Sequence, residues 1–394
     1  MRKIVNQQGV NLCFAYFMTY AAGAAWFPLF TLFLQKSGLS GTESGITVSL
    51  IFVAMFVALP FWGLGADRWS RKKALIAAII SSSFSLLFYL LGNGFLFFFF
   101  WTLFFAVVFN PIPPLLDSLA LDYTEDSKSV SFGHLRMFGS LGWLVAAPIV
   151  GYFIQENNIR LIFPVAALLY ASNILFIWRM PERRKDPAAI KLSWVNLRHI
   201  LGESRMIVFL LIILLVSVVS FCIQTFLAVY LDDMNASPQL IGWAFSIEGM
   251  SEIPFYFISA WLIRKAGLRK VFLFTLIVTA VRMFLYSVIH DPHDVLILEL
   301  THGISYALFF VTMVETANSL IPSAWRATGQ SLIWASYNGL GALIGNALAG
   351  FLIDVYSVHR MFFINAVLLS VIAVFALIFF VTGKRNKVER VSCN

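Results

Sequence analysis

Apolar residues come in runs of about twenty along the whole chain, separated by short polar stretches. An α-helix rises about 1.5 Å per residue and the hydrocarbon of a bilayer is about 30 Å thick, so one such run crosses a membrane once. The runs predict twelve helical spans, near 10–34, 44–65, 74–92, 95–121, 134–154, 160–179, 206–231, 239–263, 271–290, 293–320, 328–353 and 360–382. They are continuous rather than alternating, which excludes a transmembrane β-barrel. The opening MRKIVNQQ and the run behind it have the outline of a signal peptide. Eleven more spans follow, so the run reads as an uncleaved first span.

Composition closes the soluble alternative. Of 394 residues, 60% are hydrophobic and 12% charged, with 40 Phe and a mean hydropathy of +0.83. A soluble chain carries about 25% charge, so there is too little polar surface here to wet a globule. Cys13 and Cys222 fall inside spans and Cys393 is next to the C-terminus, so no disulfide framework is implied.

The net charge of +8 could suggest a nucleic-acid partner, but its placement argues otherwise. Of the 28 basic residues, 23 fall at the N-terminus, in alternate connections and in the tail. The opposite side holds three, Lys36, Arg160 and Arg360, and Arg136 and Arg282 lie within spans. Such a bias puts both termini in the cytoplasm and makes the charge a matter of topology. The expected location is the cytoplasmic (inner) membrane, with no nucleic acid bound.

The longest polar stretch, 179–205, separates six spans from six. It reads as a cytoplasmic linker, 181–205, with a short surface helix around 193–201, between bundles 1–180 and 206–394. The halves echo each other. GLGADRWSRKK at 63–73 returns in weakened form around Arg264, Lys265, Gly267, Arg269 and Lys270, at an offset of 197 residues. Gly142 and Gly151 return as Gly341 and Gly350, at an offset of 199. Both offsets are near half the chain, as a duplicated six-helix unit requires.

That 63–73 segment resembles the signature loop between the second and third spans of the major facilitator superfamily. Its glycine Gly63 would let two helices approach, and Asp67 would take a helix end or the basic residues Arg68 and Arg71 as partners. These four are the expected gating loop. The resemblance covers the whole chain. It implies an all-α membrane protein, with twelve transmembrane helices in two pseudo-symmetric six-helix bundles that rock about a midplane site.

An ionisable group within a span costs about 2.5–3.5 kcal/mol on insertion scales, so each asks for a partner or a role. The candidates are Asp117, Arg136, Glu248, Glu252, Arg282, Glu299, His302 and Glu315. Five carboxylates against two arginines cannot all be ion-paired. A surplus acid that takes up a proton is what a proton-coupled carrier needs, and a bound cation such as sodium would neutralise it equally well.

The strongest local feature is Asn110 followed by Pro111, Pro113 and Pro114, with Asp117 seven residues on. Prolines there break the helix, and in a membrane a break survives only where protein or water covers it. On the next span Arg136, Gly139 and Trp143 share a face at i, i+3, i+7. This segment resembles the lactose permease branch. There the carboxylate and arginine bind sugar hydroxyls and the tryptophan stacks on the ring. The resemblance therefore implies a substrate site at Asp117, Arg136, Trp143 and Asn110.

In the second half Arg282 and His302 resemble the branch's proton-handling arginine and histidine, but Ser305 stands where it has a carboxylate and Glu299 where it has a lysine. Glu252 with Arg282 as partner is the expected proton carrier, with Glu248, Glu299 and His302 as alternates. The aspartate on the fourth span and Glu252 also resemble the phenylpropionate permease group, and nucleoside–proton symporters more distantly. The expected function is proton-coupled symport of a small organic solute, a sugar or glycoside first and an aromatic carboxylate or nucleoside next. A proton-driven exporter and a non-transporting sensor complete the alternatives. No metal-ligand spacing, Walker loop or nucleophile context is present, so no enzyme, metal or cofactor is expected, and a monomer suffices.

Overall fold

A computed structural model describes residues 7–68, 70–126, 132–154, 159–181, 204–320 and 326–391. The expected linker helix at 193–201 and Lys128 lie outside the described residues. Every described element is helical, as a chain in hydrocarbon must be to satisfy its own backbone.

The first six spans are α1 (Gln7–Lys36), α2 (Gly41–Arg68), α3 (Arg71–Phe88), the broken pair α4 (Phe95–Phe109) and α5 (Ile112–Asp126), α6 (Phe132–Phe153) and α7 (Ile162–Ile177). The remainder are α8 (Ser204–Ser220) with α9 (Cys222–Asp233), α10 (Pro238–Ala266), α11 (Leu268–Val288), α12 (Pro292–Glu299) with α13 (Phe309–Leu320), α14 (Arg326–Trp334) with α15 (Ala342–Val355), and α16 (Val358–Val391). Counting each broken pair once, twelve helical segments among the described residues match the twelve apolar runs. Nine of the described helices are long and apolar enough to cross a membrane, and the α12–α13 pair, bent by 40°, makes a tenth. The other two segments carry charge within their length: three basic residues open α3, and Glu248 and Glu252 interrupt α10. Two π-helical stretches, Gly303–Leu308 and Ala335–Gly341, lie between α12 and α13 and between α14 and α15.

The described residues fall into two compact units, one within Met1–Ala189 and Gln224–Gly249, the other within Ile190–Ile223 and Met250–Asn394. By packing, then, Gln224–Gly249 goes with the first unit. Ser246 Oγ donates to the Leu144 carbonyl at 2.9 Å, and Lys36 pairs with Asp232 at 2.7 Å.

Within the first unit α1 is central: 72% of its apolar window is buried, against 33% for 159–177. Trp26, Phe30 and Phe33, on one face at i, i+4, i+7, carry the aromatic core. Trp26 meets Phe105 and Phe109 edge-on, and Phe33 meets Phe163 at 4.7 Å. Each such pair adds about 0.5–1.5 kcal/mol beyond its area.

The proline break falls at Asn110–Pro111, and protein covers it. Pro111 has no N–H to give the Val107 carbonyl, and Trp62 Nε1 donates there instead at 2.9 Å. Asn110 Nδ2 ties the break to α2 through the Ile51 carbonyl at 2.7 Å.

The internal repeat is visible as repeated packing. Gly142 lies on the Phe17 backbone of α1, and Gly341 lies on Ser217 of α8, each leaving no room for a methyl group. Lys72 donates to the Trp178 and Met180 carbonyls and lies over the Trp178 ring. Arg269, 197 residues on, donates to the Phe380 carbonyl and lies over the Phe380 ring. Lys72 so closes the C-terminus of α7, where a cation is favoured, whereas Arg269 reaches α16 eleven residues before its end.

Candidate functional site

In the first unit α1, α5 and α6 bring together one polar cluster. Tyr16 Oη donates to Asp117 Oδ1 at 2.7 Å, and an Arg136 guanidinium nitrogen approaches the same oxygen at 3.5 Å. Among the described residues both partners fall on Oδ1, so Oδ2 remains available to accept. The Asp117 and Arg136 side chains keep 31% and 43% of their exposure, enough for a solute to reach them. Arg136 also lies over the Tyr20 ring at 4.6 Å. Gly139 is what lets it: a methyl there would run into Tyr20.

Trp143, half-buried, rests on small residues. A methyl on Gly23 would stand 3.5 Å from its ring and one on Gly249 3.7 Å, and it packs on the alanine patch of Ala21, Ala24, Ala146 and Ala147. Asp117 and Arg136 thus meet, with Tyr16 and Tyr20 added, and Trp143 lies two turns beyond Arg136 on the same face of α6. Asn110 is turned differently, since its amide nitrogen holds the α2 backbone. Sequence reasoning passed over the two tyrosines. Their signal was the i, i+4 spacing on the face of α1 that also carries Gly23.

In the second unit Arg282, 2% exposed, is the centre of a buried network. It donates to Glu299, which is fully buried and also accepts from Tyr286. A second guanidinium nitrogen reaches Ser305 Oγ at 3.0 Å and His302 Nδ1 at 2.8 Å. A guanidinium only donates, so Nδ1 must accept and the ring proton belongs on Nε2. There Nε2 faces Glu252 Oε1 at 3.3 Å. The expected Glu252–Arg282 pair is therefore corrected: Arg282 pairs with Glu299, and Glu252 reaches it through the imidazole. Glu299 wins because its two oxygens meet Arg282 and Tyr286, one turn apart on α11. Glu252 keeps 23% side-chain exposure and so remains in touch with its surroundings. Glu248 is buried in the first unit's part of α10, and Glu315 is exposed on α13.

The gating-loop residues part company. Arg71 pairs with buried Asp122 at 2.6 Å, tying α3 to α5, and Ser70 caps α3. Gly63 makes no close helix approach: among the described residues a methyl there would meet nothing within 4 Å. Asp67 and Arg68 end α2, and their side chains lie outside the described residues.

Against known proteins, the MFS_1-like family model matches residues 10–364. The chain belongs to that family. Its major facilitator relatives include the maltose permease of Geobacillus stearothermophilus, 26% identical with 95% of each chain covered. The putative nucleoside transporter YegT of Escherichia coli (strain K12) is 25% identical, covering 94% of this chain and 93% of that one. Among solved structures, the nucleoside transporter NupG superposes with a TM-score of 0.86 at 17% identity, over 95% of this chain and 99% of that one. This likeness shows the fold, a major facilitator architecture of apolar membrane-spanning helices. Like these relatives, the chain is a secondary transporter.

Proposed function

We propose that this facilitator is a proton-coupled symporter that imports a neutral sugar or glycoside by alternating access. It acts as a monomer in the cytoplasmic (inner) membrane, with both termini in the cytoplasm. The observation that carries the reading is the Asp117 carboxylate, fixed through Oδ1 by Tyr16 and Arg136 and open at Oδ2. A fixed carboxylate beside a guanidinium offers an acceptor and donors to adjacent hydroxyls, and Trp143 supplies an apolar plate for the face of a sugar ring.

Charge favours a neutral solute. Both intramembrane arginines are already matched by carboxylates, Arg136 by Asp117 and Arg282 by Glu299, so an aromatic carboxylate would lack a counter-charge. The relatives named for maltose and for nucleosides act on solutes that share a hydroxylated sugar ring. Glu252 is the coupling acid: it is the partly exposed carboxylate of the second unit's network, and among the described residues it is linked to Arg282 through His302.

The test is external pH in weakly buffered, de-energised cells expressing the chain, with sugars, glycosides, nucleosides and aromatic acids added in turn. Alkalinisation by a hydroxylated sugar or glycoside, lost in Asp117→Asn and in Arg136→Ala with the protein still in the membrane, is the expected result. Alkalinisation by an aromatic acid alone overturns the substrate class. Uptake without alkalinisation makes sodium the coupling ion.

A further inference from the structure

On the second unit α11 and α16 run side by side and leave an apolar groove of about 460 Å³ between them. Its floor is the buried Ala280 of α11 and Ala366 of α16, and the exposed Ser370 and half-buried Ala373 of α16 complete the lining with bulkier apolar side chains. Ser370, the one polar side chain in the lining, gives its hydroxyl hydrogen to the Ala366 carbonyl at 2.8 Å, so it offers a visitor no donor. Along α11 the groove runs from Leu273 to Phe284. Eleven residues at about 1.5 Å each give about 16 Å, close to one leaflet of an about 30 Å hydrocarbon layer.

The shallow end is positively charged. Lys270, exposed, lies three and seven residues before the lining residues Leu273 and Ile277, on the same face of α11. Arg269 closes that end by donating to the Phe380 carbonyl of α16 at 3.2 Å. The first turn of α11 has no acidic residue, and its N-cap Gly267 supplies no side-chain cap, so the local field there favours an anion.

We infer that this groove is a binding site for one anionic phospholipid, an acyl chain lying over the alanine floor and the phosphate held at Lys270. Apolar length supplies the retention. The cation supplies the preference for an anionic headgroup, which one basic residue at the membrane surface favours roughly fivefold.

The experiment is native mass spectrometry of the purified full chain, loaded with phosphatidylglycerol or with phosphatidylcholine of the same acyl chains. The expected result is one retained lipid, phosphatidylglycerol held roughly fivefold better. Lys270→Gln should keep the lipid and lose that preference. Ser370→Leu with Ala373→Leu, which fills the groove from its exposed side, should lose the retained lipid of both kinds. Equal retention of the two lipids by the unaltered chain overturns the inference, as does retention unchanged in the filled variant. A dimer that disappears when the groove is filled would make a second copy of the chain the occupant instead. Should the filled variant not fold, Lys270→Gln alone decides.

Discussion

At Asp117 one oxygen accepts from a phenol and faces a guanidinium, and the other is open, the position proposed for a solute hydroxyl. Hydrogen bonds to charged groups are worth about 1.5–3 kcal/mol. Tyr16→Phe should therefore weaken solute affinity roughly tenfold or more, measured as Kd on purified protein, without loss of expression. The second unit gives a different signature. Glu252→Gln cannot release a proton, so preloaded vesicles should still exchange labelled solute while uphill accumulation is lost; accumulation that persists moves coupling to another acid. Asp117, Arg136, Glu252, Arg282, Glu299 and His302 were legible because a charge or imidazole inside an apolar run stands out. Tyr16 and Tyr20 were not, because a tyrosine in such a run reads as apolar filler. The partner of Arg282 was misjudged for another reason. Three carboxylates were within plausible reach, and only side-chain directions around Tyr286 and the π-helical turn after His302 choose Glu299.

Among the elements, the broken fourth span could be foreseen from Pro111, Pro113 and Pro114, and its repair could not. The orphaned Val107 carbonyl takes its hydrogen from Trp62, 45 residues earlier in the chain. Trp62→Phe keeps most of the ring and removes the donor. An unsatisfied buried carbonyl costs about 1–3 kcal/mol, so the variant should unfold at lower temperature in detergent, with solute affinity little changed. Unchanged thermal stability would mean that water serves that carbonyl. The break between α8 and α9 at Phe221 had no sequence signal, since neither proline nor glycine marks it. The π-helical stretches were hidden likewise, because one extra residue in a turn leaves the hydrophobic pattern almost unchanged.

For the molecule as a whole, the duplicated pattern at half-chain spacing became duplicated contacts, Lys72 on Trp178 and Arg269 on Phe380. The grouping of Gln224–Gly249 with the first unit was not legible, because it depends on contacts such as Ser246 on Leu144 between residues about a hundred apart in sequence. The bias of basic residues predicts a topology that labelling can check. A cysteine at Ser37, in a chain freed of its three native cysteines, should react with an impermeant maleimide added to intact cells, and one at Ser204 should react only after lysis. The reverse pattern would invert the chain. Finally, the Arg282–Glu299 pair has a consequence for electrical work. Buried together, the two ions sum to zero, so their displacement is nearly indifferent to membrane voltage. On the proposed mechanism, a neutral cargo and a proton on Glu252, that proton is then the net charge moved per turnover. A potential of 100 mV acting on that charge contributes about 2.3 kcal/mol, about a fifty-fold concentrative drive. Uptake should register as an inward current of one charge per solute.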